Sequence, residues 1–155
     1  MDKFTKEEWH RKQAIENFNK TWDLIDKKER TKEEDLEMIH TAHTSRFHWG
    51  FAGTPLNFAR GEWQISRVYS LLKMSDSALL HGEHSLYHCL QNDFGDFELA
   101  FAYEAVARAY MVKCDEAKME EYFALASKAG ENIAKNDDKE YFISELNSIK
   151  LRSKA

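Results

Sequence analysis

Four groups of residues in this chain have the types and spacing that chemistry needs. His40, His43 and Arg46 recur at three-residue steps within LEMIHTAHTSRFHW. Arg60, Trp63, Gln64 and Arg67 fall at i, i+3, i+4 and i+7, and His81, His84 and His88 at i, i+3 and i+7. Glu104 and Arg108 are four apart. Two histidines three residues apart on a helix share a face and suit one metal ion. They lack the glutamate and the four-residue step of the zinc-protease helix. The same imidazoles, left neutral, serve as acid–base groups near neutral pH. Two arginines beside a tryptophan suit a carboxylate, a phosphate, or a planar group stacked on the indole. Glu104 and Arg108 can pair along one helix face. Each group also has an ordinary explanation, as core histidines satisfied by backbone or as solvated edges with scattered ion pairs.

Composition limits what can position these residues. A chain of 155 residues with 43% hydrophobic and 13% aromatic residues can bury one real core without disulfides. One proline and six glycines leave little turn chemistry, which favours long helices over many strands. A net charge of −5 argues against general nucleic-acid binding. Cys89 and Cys114 form no metal-type or redox-type spacing, so reduced thiols and a cytoplasmic protein are expected. The charged start excludes a signal peptide, and no apolar run approaches the ~18 residues of a membrane span.

Periodicity of 3.6 residues predicts seven helices: 5–27, 32–51, 55–74, 76–92, 97–114, 115–133 and 138–151. Thr31 with Glu34 has the spacing of a capping box. Thr54-Pro55 starts the third helix, with proline at its first position. Ser75 and Ser77 offer caps for the fourth, whose packing face is Ala78, Gly82, Ser85, Leu86 and Cys89. On the second helix Leu36, Ile39, Phe47 and Phe51, widened by Met38, Ala42 and Trp49, share an apolar arc that includes His40, His43 and Arg46, and Glu37, Thr41, Thr44 and His48 face water. A charged Arg46 there needs a partner or a wet cleft. His40 and His43 should therefore titrate abnormally and His48 normally. The third helix carries its polar stripe between two apolar flanks. The fifth is apolar nearly all round and hence central.

GEWQISRVYSLL…SALLHGEHSLYHC and AYEAVARAYMVKC…DEAKMEEYFALASKA share one helix–turn–helix layout. Aligning Ser66 with Ala107 aligns Tyr69 with Tyr110. With Ala78 and Ala117, these residues hold the small–tyrosine–alanine positions of the tetratricopeptide-repeat family, which residues 58–130 resemble. The chain also resembles small bacterial proteins of this type carrying HxxHxSRxHW and RGEWQxSRVY segments. It departs from the repeat pattern in lacking the closing proline and in a longer link between units.

The resemblance implies an all-α, right-handed array of antiparallel hairpins in a single domain: 5–53, 54–93 and 96–133, with 138–151 as a capping helix. It places a groove along Arg60, Trp63, Arg67 and Leu71, with Phe101, Glu104, Arg108 and Val112 opposite and Gln64 at the margin. Since Glu104 can neutralise only one of the neighbouring Arg60 and Arg67, a ligand carboxylate or phosphate or a buffer ion is expected between them. Three readings follow. One is a binding module for an anionic small molecule or peptide, with Arg46 joining the groove residues. Another is an acid–base or divalent-metal enzyme using His40, His43 and His81, with Glu104 as carboxylate. The third is a structural protein, forming homo-oligomers, whose polar residues satisfy one another.

Overall fold

The structure, a computed structural model, describes residues 3–153, with side chains to residue 149. Among them are seven α-helices and no strand: α1 Lys6–Ile25, α2 Lys32–Ala52, α3 Pro55–Leu71, α4 Ser75–Gln91, α5 Asp96–Lys113, α6 Glu116–Gly130 and α7 Asn136–Ser153. Helices α1 and α2, α3 and α4, and α5 and α6 pack as hairpins. The hairpins join through α2 on α3 and α4 on α5, α3 also meets α5, and α7 lies on α5 and α6. No helix among the described residues is long and apolar enough to cross a membrane.

Local chemistry sets the ends. Thr5 with Glu8 and Thr31 with Glu34 form reciprocal capping boxes that satisfy first-turn N–H groups. Gly53 turns the chain between α2 and α3 because a Cβ there would stand 2.8 Å from the Trp49 carbonyl oxygen. Most boundaries differ from the sequence expectation by one to three residues, α3 ending at Leu71 and α6 at Gly130. α4 is preceded by Met74 without a side-chain cap, so neither Ser75 nor Ser77 is its N-cap. α7 starts at Asn136 rather than at residue 138.

Small residues let the helices come close. Ser66 Oγ donates to the Ala78 carbonyl at 2.8 Å, Ser85 Oγ to that of Ala59 at 2.8 Å, and Ser45 Oγ to that of Ala14 at 2.7 Å. Thr21 Oγ1 bonds Thr41 Oγ1 at 2.8 Å across α1 and α2. These bonds explain the main correction to the sequence reading. The buried face of α2 is Met38, Thr41, Ala42, Ser45 and Trp49, whereas Leu36, Phe47 and Phe51 are 55, 64 and 58% exposed. A buried hydroxyl costs little once it is bonded, and its small size lets α1 approach. Of the expected arc, Met38, Ala42 and Trp49 face inward, and Leu36, Phe47 and Phe51 do not. His40 lies in the open, and Thr41, expected in water, is buried.

The core is densest around α5, where Ala100, Phe101, Ala107, Met119, Ala126, Phe142, Leu146 and Ile149 pack together. A second cluster of Leu24, Met38, Ala42, Ile65 and Val68 joins α1, α2 and α3. Ala107 is buried, but Ala117, expected at the matching helix contact, is exposed.

Candidate functional site

Helix α3 supplies side chains to two polar regions. Arg60, Trp63 and Arg67 share one face; Glu62 and Tyr69, seven apart, share another about half a turn away.

The first face borders a cleft of about 160 Å³. Its walls are Phe18 and Trp22 of α1, Trp63 of α3, Phe97 and Phe101 of α5, and Tyr141 of α7, with Ser85 and Cys89 of α4. Trp63 stands between Trp22 and Phe101, ring centroids 5.6 and 5.7 Å away. The Trp63 indole nitrogen is buried without an acceptor among the described residues. Burial, then Glu98, pushes the Cys89 thiol up to about 11, so it stays protonated and a poor nucleophile. Arg60 is 54% exposed in its side chain, and its Nε and Nη2 both donate to Glu98 Oε1.

Arg67 and Arg108 lie deeper. Arg108 Nε donates to Glu104 Oε1 at 2.7 Å, and Arg67 Nη2 lies 3.5 Å from Glu104 Oε2. Glu145 of α7 provides the second acid: Arg67 Nη1 donates to its Oε2 at 3.0 Å. Arg108 Nη2 also donates to the Glu145 carbonyl and to Ser148 Oγ. Two arginines thus meet two carboxylates. Burial works against both guanidinium charges. At Arg67 the carboxylates of Glu104 and Glu145 outweigh it and raise the pKa; at Arg108 burial prevails and lowers it. Both remain charged. Arg60 and Arg67, between which a ligand or buffer anion was expected, each meet the chain's own acids instead, Arg60 that of Glu98 and Arg67 those of Glu104 and Glu145. Gln64, expected at the groove margin, is wholly buried and its Nε2 donates to the Phe18 carbonyl at 3.0 Å, tying α3 to α1. Leu71 and Val112 do not line the cleft.

The second region joins α2, α3 and α4. Glu62 Oε1 lies 3.2 Å from Arg46 Nε, an ion pair without a hydrogen bond, and Oε2 accepts from His81 Nδ1 at 2.6 Å. Burial pushes the Glu62 pKa up, but the His81 hydrogen bond and the charges of His81 and Arg46 bring it below the ordinary carboxylate value. His43 Nε2 and the Tyr69 hydroxyl are 2.8 Å apart. The His81 ring stacks on Tyr69, centroids 5.8 Å apart, and meets His43 edge-on at 5.3 Å. Arg46 lies over Phe58 at 4.3 Å. Burial first, then His81, lowers the His43 pKa, and burial raises that of Tyr69; near neutral pH both are uncharged.

The chain matches no protein-family model, no curated protein and no solved structure.

Of the sequence-predicted residues, Arg60 and Trp63 line the cleft, while Gln64, Arg67, Glu104 and Arg108 form its buried surround. Arg46 belongs to the second region, with His43 and His81. His40 is exposed, and no cluster of three metal-ligating side chains occurs among the described residues. Glu104, the carboxylate of the histidines in the enzyme reading, pairs with the arginines, as its spacing from Arg108 allowed, and the acid beside the histidines is Glu62. His48, expected in water, is half-buried against Trp9 and His10, and burial followed by His10 lowers its pKa. Reading the sequence missed Glu62, Glu98, Tyr141 and Glu145. Only Glu145 had a signal, the acid needed to balance a second buried arginine.

Proposed function

We propose that this chain is a ligand-binding module whose cleft takes a compact apolar ring of an acidic small molecule or peptide, with the acid directed to Arg60. The observation that carries this reading is the cleft itself, aromatic on most sides and about 160 Å³ in volume. A cavity of about 150 Å³ accommodates one benzene ring. Arg67 and Arg108 are neutralised within the chain, so Arg60, exposed at the rim and held only by Glu98, is the arginine free to exchange partners. Trp63 adds a flat surface and an indole N–H that a ligand acceptor can engage.

Phenylacetate, 2-phenylethanol and acetate separate ring from charge. Phenylacetate at millimolar concentration should quench tryptophan emission and raise the melting temperature, 2-phenylethanol should do so more weakly, and acetate not at all. Arg60→Ala should cut phenylacetate affinity by about 2- to 5-fold, the worth of an exposed ion pair, and leave 2-phenylethanol unchanged. Equal responses to acetate and phenylacetate, or none to either ring compound, would refute the reading.

A further inference from the structure

The region where α2, α3 and α4 meet has what a proton-transfer site needs, and it does not depend on the cleft. Glu62, ionised and acceptor-only, bonds His81 Nδ1 at 2.6 Å, so that nitrogen carries the ring proton. The lone pair is therefore on Nε2, which bonds to no described residue. Tyr69 against one face and His43 at the edge stop the ring from turning. Arg46 is ion-paired with the other oxygen of the same carboxylate, its Nε 3.2 Å away without a hydrogen bond, and its two terminal nitrogens bond to no described residue. The side chains of His81 and Arg46 are 18 and 23% exposed, so both are reachable.

We propose that His81 Nε2 is the general base of a hydrolytic site for small acyl compounds, that Glu62 positions it, and that Arg46 receives the oxyanion. In this step Nε2 takes a proton from water as the water oxygen bonds to the acyl carbon. The negative charge on the carbonyl oxygen falls to the Arg46 guanidinium. When the bond from carbon to the leaving oxygen breaks, the imidazolium returns its proton to that oxygen. One water and one ester become one acid and one alcohol, and His81 is neutral again. Glu62 offsets the transient positive charge of the ring, as a carboxylate behind a catalytic histidine does. The charged and titratable groups around the ring are His40, His43 and Arg46 from α2, Glu62 and Tyr69 from α3, and His84 and His88 from α4. The neutral His43–Tyr69 pair adds no charge that would oppose the imidazolium.

Hydrolysis of p-nitrophenyl acetate tests the proposal on the full chain. His81→Asn keeps a donor for Glu62 and should lower the rate by at least about tenfold, whereas His10→Asn on α1, away from this region, should leave it unchanged. Glu62→Gln should move the midpoint of the rate–pH profile to lower pH, a shift that a merely structural carboxylate would not cause. Equal rates for wild type and His81→Asn, an equal loss in His10→Asn, or an unmoved profile in Glu62→Gln would overturn it. Nitrogen-15 spectra of the unmodified protein give a check independent of folding defects: His81 should be the Nδ1–H tautomer above neutral pH, and finding the Nε2–H tautomer would also overturn the proposal.

Discussion

The two polar regions flanking α3 handle charge in opposite ways. On the α5 side, Arg67 and Arg108 meet Glu104 and Glu145, every charge has a counter-charge, and α7 seals the group. On the α2 and α4 side, one carboxylate serves both an arginine and a histidine, and the side chains of both are partly open to solvent. A closed set of buried ions holds helices together; a partly bonded one, still reached by water, retains capacity for a ligand or a proton.

The largest effect should come from opening the closed set. Glu104→Gln leaves two buried guanidinium groups with one carboxylate and should cost about 3–5 kcal/mol in urea unfolding. Glu62→Gln should cost less, about 1–2 kcal/mol, since its partners reach solvent. Equal losses would erase the contrast and make the histidine cluster as structural as the arginine network.

Next comes the response to acid. Burial lowers the pKa of His43, His48 and His88, so the unfolded chain takes up protons first as pH falls. The stability these histidines contribute is intact above about 6.5, the unfolded value, and is lost as pH drops from there toward the native values. The lowered pKa of Glu62 acts only below the ordinary carboxylate range. Melting temperature should therefore decline from pH 7 to 5, with a shallower slope in His43→Asn. A rise over that interval would contradict the burial of these rings.

A subtler variant is Gly61→Ala. Its Cβ would stand 2.9 Å from Arg46 Cδ, so the arginine stem must move. Alanine in a helix gains up to about 1 kcal/mol over glycine, which offsets much of that displacement. Stability should change by less than about 1 kcal/mol while ester cleavage falls, because Arg46 is shifted from Glu62. The smallest effect belongs to Arg60→Ala, within about 0.5 kcal/mol by chemical denaturation, because the Arg60–Glu98 pair is exposed on its arginine side.

Much of the fold was legible because helices are local. Hydrogen bonds between i and i+4, the Thr31–Glu34 box and the break at Gly53-Thr54-Pro55 all lie within a few residues of one another. The buried alanine-rich α5 and its internal Glu104–Arg108 pair were readable for the same reason. The inward face of α2 was not. It carries two apolar arcs, and the winning one includes Thr41 and Ser45, whose burial depends on bonds to α1.

The candidate sites were half visible. Arg60, Trp63, His43 and His81 were singled out by type and spacing, but their partners lie far along the chain. Glu145 reaches Arg67 across 78 positions, Glu98 reaches Arg60 across 38 and His81 reaches Glu62 across 19. By itself, the sequence determined seven helices and which of their faces carry ionisable groups, since both follow from neighbours within a turn or two. Which groups close on each other, and which keep a free nitrogen, was decided only by how the helices cross. A charge between helices takes its partner from whatever face is packed opposite, and no local spacing encodes that face.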